Sequence, residues 1–126
     1  MLFLFFLACD KGDDSVALEK PTISFLEPAD DAKVAVGDVQ LSIVVDSFTL
    51  HDPAKHNEGQ PEGYIEVGWS NGTASDELET GSTTPTIEIP AAGSWTITAE
   101  LYFADGDEIT EDFPDYVPAQ VTVTAK

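Results

Sequence analysis

Between residues 21 and 126 the apolar residues fall on every second position, segment after segment, and this period of two is the mark of half-buried strands. Ile23 and Phe25 alternate before Glu27-Pro28 and a turn through Ala29, Asp30 and Asp31. Val34 and Val36 make a short piece ahead of Gly37-Asp38. Val39, Leu41, Ile43 and Val45 then share one face of a longer strand, opposite Gln40, Ser42 and Asp46. Ile65, Val67 and Trp69 keep phase after Gly63, and Asn71-Gly72 is a turn dipeptide. Ile87 and Ile89 are closed by Pro90. Trp95, Ile97, Ala99, Leu101 and Phe103 form the longest alternating run, closed by Asp105-Gly106, and Val121, Val123 and Ala125 end the chain. No segment carries the 3.6-residue period of an amphipathic helix.

About seven short strands punctuated by Gly, Pro, Asn and Asp predict an all-β chain, a sandwich of two antiparallel sheets. The inner faces would be filled by Leu41, Ile43, Val67, Trp69, Trp95, Ile97 and Leu101. Trp69 is assigned to this core because it keeps phase with Ile65 and Val67; the alternative is an exposed platform for a ligand. Cys9 is the single cysteine, so no disulfide belongs to the fold.

The stretch Pro21 to Pro28 (PTISFLEP), followed by Ala29 to Val34 (ADDAKV) and a Val/Leu strand, resembles the opening of bacterial extracellular Ig-like modules. Gly93 to Leu101 (GSWTITAEL), running into Ala104-Asp105-Gly106, is similar to the closing strands of the same broad group, PKD-like domains included. The resemblance implies an Ig-like sandwich over residues 21–126 and marks architecture rather than activity. Some similar envelope domains place a Gly-His-x-His motif at the middle strand. Here that position reads Gly63-Tyr64-Ile65-Glu66, so a histidine metal site is not implied.

Ahead of the sandwich, Leu2 to Leu7 is apolar but far shorter than the roughly 20 residues that cross a bilayer. An apolar core closing on a small residue is the pattern of an export signal. Phe6-Leu7-Ala8-Cys9 resembles the box of a bacterial lipoprotein signal, which implies that residues 1–8 are removed and that Cys9 receives diacylglycerol. The box departs from the family in Phe6, in the bulky Leu7 and in the lack of Lys or Arg before the run, as expected if the true translation start lies upstream. The competing reading is a buried N-terminal strand with Cys9 as a small hydrophobe. Four aromatic or aliphatic residues in a row, without alternation and followed abruptly by charge, suit that poorly. Residues 9–20 would then be the lipidated cysteine and a flexible acidic linker, too polar to offset ordering entropy.

The chain has 24 acidic residues against five lysines and no arginine, a formal net charge of −19. Nucleic acid is excluded as a partner, since a phosphate-binding surface needs clustered Lys and Arg. Anionic headgroups are equally disfavoured, which leaves the lipid on Cys9 as the membrane link. So much acid suits capture of cations, a basic partner, or plain solubility.

Catalytic equipment is sparse. The two histidines, His51 and His56, sit in one loop, and no serine lies in a nucleophile elbow. Two loops could hold a divalent ion. His51 and His56 with Asp52, Glu58 and Glu62 offer zinc or copper ligands, although the two rings stand five positions apart with nothing in the sequence to orient them. Asp105, Asp107, Glu108, Glu111 and Asp112, with Asp115 beyond, supply the oxygens calcium requires. The stretch is not an EF-hand, because Ile109 occupies the third ligand position; for both loops a solvated connection is the plain alternative. The sequence thus predicts a non-catalytic, monomeric lipoprotein of the bacterial envelope, at the outer membrane on its periplasmic face or at the cell surface. It would present an Ig-like binding, adhesive or structural module to a protein or polysaccharide partner. A divalent-cation-binding envelope protein is the alternative, with calcium the one candidate cofactor.

Overall fold

The computed structural model describes residues 20–50, 62–103 and 106–126. These form ten strands: β1 Thr22–Glu27, β2 Ala32–Val34, β3 Gly37–Gln40, β4 Ser42–Asp46, β5 Thr49–Leu50, β6 Glu62–Ser70, β7 Ser75–Thr80, β8 Thr86–Ile89, β9 Gly93–Phe103 and β10 Ala119–Ala125. A 3-10 turn, Ile109–Glu111, lies between β9 and β10.

The larger sheet runs β2-β10-β9-β6, with β7 and the two-residue β5 both paired to the far edge of β6. The smaller layer is built on residues 37–46. Their β3 half pairs with β8 and their β4 half with β1, while Leu41 N and Ile43 N donate to the carbonyls of Pro85 and Thr83, both at 2.8 Å. One kinked strand therefore has β1 on one edge and the β8 segment on the other. The two layers pack as an Ig-like sandwich, and the strand total exceeds seven for local reasons. The long strand breaks at Leu41, and β5 and β7 add to the far edge of the larger sheet. Two of the ladders, β2 with β10 and β5 with β6, are parallel rather than antiparallel. Each involves a short strand reached as the chain crosses from the smaller layer to the edge of the larger one.

Period-two burial places one face of every long strand inside. Val67, Trp69, Trp95, Ile97, Leu101, Leu41 and Ile43 are all buried, together with Ile65, Ile87, Ile89 and Val123. Each such side chain contributes about 1.5–3 kcal/mol by leaving water. Trp69 also fastens the layers together, since its indole N–H on β6 donates to the carbonyl of Glu88 on β8 at 2.9 Å. Trp95 donates to the Ala91 carbonyl at 3.0 Å, which closes the turn before β9.

Two glycines have positional reasons. A side chain at Gly63 would collide with the backbone of Tyr102 on β9, so the close approach of β6 and β9 depends on its absence. Gly72, at φ 91°, turns the β6–β7 hairpin, where the Asn71 carboxamide oxygen accepts from Thr73 N and Ala74 N at 2.9 and 2.7 Å.

Candidate functional site

Cys9, His51, His56 and Asp105 lie outside the described residues. The rest of the acidic stretch is a cover for a sheet edge. β10 pairs with β9 only as far as Ala119 opposite Ala99, which leaves the last residues of β9 unpaired on that side. The stretch runs along this gap: Phe103 N donates to the Asp107 carbonyl at 3.0 Å, Tyr102 bridges Glu108, and Leu101 N donates to the Tyr116 hydroxyl at 2.7 Å. Ile109 and Tyr116 are buried and Phe113 half-buried, so the apolar residues among the acids anchor the cover. Asp107, Glu108, Glu111 and Asp112 point to solvent. Among the described residues no group of three His, Cys, Asp or Glu side chains is gathered as a metal would need. Burial pushes the Tyr116 hydroxyl up to about 12, against the lowering effect of the bond from Leu101 N.

The chemistry that does converge is on the outer face of the larger sheet. Alternation sends Tyr64, Glu66, Gly68 and Ser70 of β6 outward, opposite the inward Ile65, Val67 and Trp69. Register then brings like residues together. Tyr64 stands opposite Tyr102, and Glu66 stands between Glu100 on β9 and Glu79 on β7. The two tyrosine rings stack, with centroids 5.8 Å apart and planes 16° from parallel. Glu79, Glu66 and Glu100 make a row across three strands, with Glu77 on β7 and Glu108 at its margins. Like charges directly opposite each other weaken a sheet, and β6, β7 and β9 contain no lysine to offset them.

The titration of these groups reflects that crowding. Partial burial, followed by the charges of Glu77, Glu79 and Glu100, raises the Glu66 carboxyl above its ordinary range, and a hydrogen bond from Tyr102 partly opposes this. Glu100 is raised by burial and then by Glu108. Tyr102 rises to about 12, through burial first and then the neighbouring Glu100, Glu66 and Glu108. Beside the row, Gly68 leaves a shallow groove lined by Ser70, Ser75, Glu77, Thr96 and Thr98. The face is open, with carboxylate acceptors and ring faces that can bind cationic groups.

Sequence reasoning missed this constellation. Its signal was present as tyrosine and glutamate at alternate positions, Tyr64 and Glu66, Glu100 and Tyr102, on the polar faces of the two longest strands. Only the register of β6 against β9 shows that the four meet.

No family model matches the chain, and no curated protein does. The crystal structure of an engineered protein from the Northeast Structural Genomics Consortium is similar at a TM-score of 0.55 and 17% identity over 94% of this chain, which spans only 21% of that protein. Fibronectin(III)-like modules of Clostridium thermocellum CbhA align at a TM-score of 0.47 and 17% identity, over 83% of this chain and 96% of theirs. At such identity the likeness to the engineered protein is one of fold.

Proposed function

We propose that this protein is a non-catalytic lipoprotein of the bacterial envelope, tethered through an acylated Cys9, whose Ig-like domain presents the outer face of its larger sheet to a partner. The observation that carries the binding role is the open face itself, where Tyr64 and Tyr102 stack beside in-register glutamates that the fold does not need. Sheet stability alone would favour almost any other residues at Glu66 and Glu100. The tether is supported by the box ending in Cys9 and by the acidic linker behind it. A charge of −19 leaves the domain no electrostatic means of staying at a membrane, so the acyl chains supply the attachment.

Cell fractionation tests the tether. The wild-type chain should follow the detergent phase and Cys9→Ser should follow the aqueous phase, with the same thermal midpoint for both. A Cys9→Ser chain that stayed with membranes would sink the proposal.

A further inference from the structure

We infer that the outer face formed by β6, β7 and β9 docks an extended lysine- or arginine-rich polypeptide segment, its cationic side chains seated against the Glu79, Glu66, Glu100 row and over the rings of Tyr64 and Tyr102. This rests on the reading of the domain as a binding module and adds the chemistry of what is bound.

Three observations converge on it. First, the carboxylates stand on successive strands, roughly 4.8 Å apart in the sheet, and so form a line rather than a cage. Among the described residues no three such groups come together for a single metal ion, so the row suits several separate cations. Second, the stacked tyrosines flank that row on one side, next along β6 and β9 from Glu66 and Glu100. Ring faces flanked by carboxylates are where Arg and Lys gain cation–π energy in addition to charge pairing. Third, Gly68 sits in mid-strand with only the Thr98 hydroxyl, at 3.3 Å, and the Asp76 carbonyl, at 3.9 Å, near where a side chain would begin. Unlike Gly63, it is not dictated by an approaching backbone. A strand glycine of this kind marks a place where another chain can come close, and the groove it leaves runs beside the glutamates. Charge complementarity selects the occupant, because this face carries five glutamates counting Glu77 and Glu108, and its three strands carry no lysine.

The smaller sheet provides an internal control. Asp38 on β3 is also paired with Glu88 on β8, a second like-charge contact on the opposite side of the sandwich, with no tyrosine pair beside it. The test measures binding of fluorescein-labelled deca-lysine to the full chain in neutral detergent at low salt, by anisotropy, for wild type, Glu66→Gln/Glu100→Gln and Asp38→Asn/Glu88→Gln. Each double variant removes the same charge, and thermal melts check folding. The inference expects saturable binding that weakens with added NaCl. It expects an affinity about tenfold lower for Glu66→Gln/Glu100→Gln, as two charge pairs with an aromatic contribution would give, and a loss under about threefold for Asp38→Asn/Glu88→Gln. Tyr64→Leu should also weaken binding with the charge untouched. Equal losses in the two double variants would mean diffuse attraction to an acidic protein and would overturn the site. No binding of deca-lysine by a folded, membrane-tethered wild type would overturn the cationic partner while leaving the tethered-module reading in place.

Discussion

Replacing Tyr116 by Phe removes one oxygen, and the structure says what that oxygen does. The Leu101 amide on β9 has no β10 residue opposite it and donates instead to the Tyr116 hydroxyl at 2.7 Å, in a buried setting. Phenylalanine fills nearly the same space, so the expected loss is that of an orphaned buried N–H, about 1–3 kcal/mol. For a domain of this size that lowers the thermal midpoint by about 4 °C or more at pH 7. The same hydroxyl gives a second, independent signature. Its folded-state value is pushed up from 10.0 to about 12 by burial. Between those values the unfolded tyrosine releases its proton while the folded one keeps it. The folded state therefore binds more protons, and stability falls as pH rises. In full, a phenol moved this far is linked to roughly 2–3 kcal/mol. Tyr116→Phe lacks that linkage, so the gap between wild type and variant, present at pH 7, should narrow steadily from pH 10 towards 12. Chemical denaturation of both proteins at pH 7, 9, 10.5 and 11.5, followed by circular dichroism, measures it. A variant as stable as wild type at pH 7, or a gap that stays constant up to pH 11.5, would refute the role assigned to this residue.

Other consequences follow from the same geometry. Because Glu66 and Glu100 are raised above the ordinary 4.5, by partial burial first and neighbouring carboxylates second, the folded state holds their protons longer than the unfolded state, and ionising them there erodes stability as pH rises through their folded values. Glu66→Gln should thus raise the midpoint at pH 8, by the equivalent of about 0.2–1 kcal/mol, and change it little at pH 4; destabilisation at pH 8 would show that the carboxylate is needed for the fold. Trp69→Phe loses the indole bond to the Glu88 carbonyl that ties the two layers and should cost about 1–2 kcal/mol in urea unfolding. Millimolar calcium should shift the midpoint no more than sodium chloride of equal ionic strength, since Asp107, Glu108, Glu111 and Asp112 point outward. A saturable rise reversed by a chelator would instead mean that these residues gather an ion together with Asp105.

The strands that the sequence announces are those with an apolar face. Trp95 to Phe103 and Val39 to Val45 alternate, and both lie where their pattern puts them, inner residues buried except for the half-buried Val45 and Phe103 and outer ones not. β7 was illegible because SDELET has Leu78 as its only apolar residue, half-buried at the sheet edge. It forms because the Asn71-Gly72 turn folds the chain back onto β6, which is information about a hairpin rather than about a strand. The acidic segment after β9 invited a calcium reading through its carboxylates, whereas the residues that decide its conformation are Ile109, Phe113 and Tyr116. Their role becomes visible only once the pairing of β10 with β9 is seen to stop short, at Ala119 opposite Ala99. The outer face was hidden for a similar reason. Tyr64, Glu66, Glu100 and Tyr102 are unremarkable as isolated polar positions, and a one-residue slip in register would scatter them.

The claim on which the account turns is that this sandwich works as a lipid-tethered module. Mass spectrometry of the chain purified from the membrane fraction of an expressing bacterium tests it directly. The prediction is a mature chain beginning at Cys9, with an N-terminal mass increased by diacylglycerol and a further acyl group, and with residues 1–8 gone. A chain that retained those residues with an unmodified thiol at Cys9, recovered from the aqueous fraction, would contradict it.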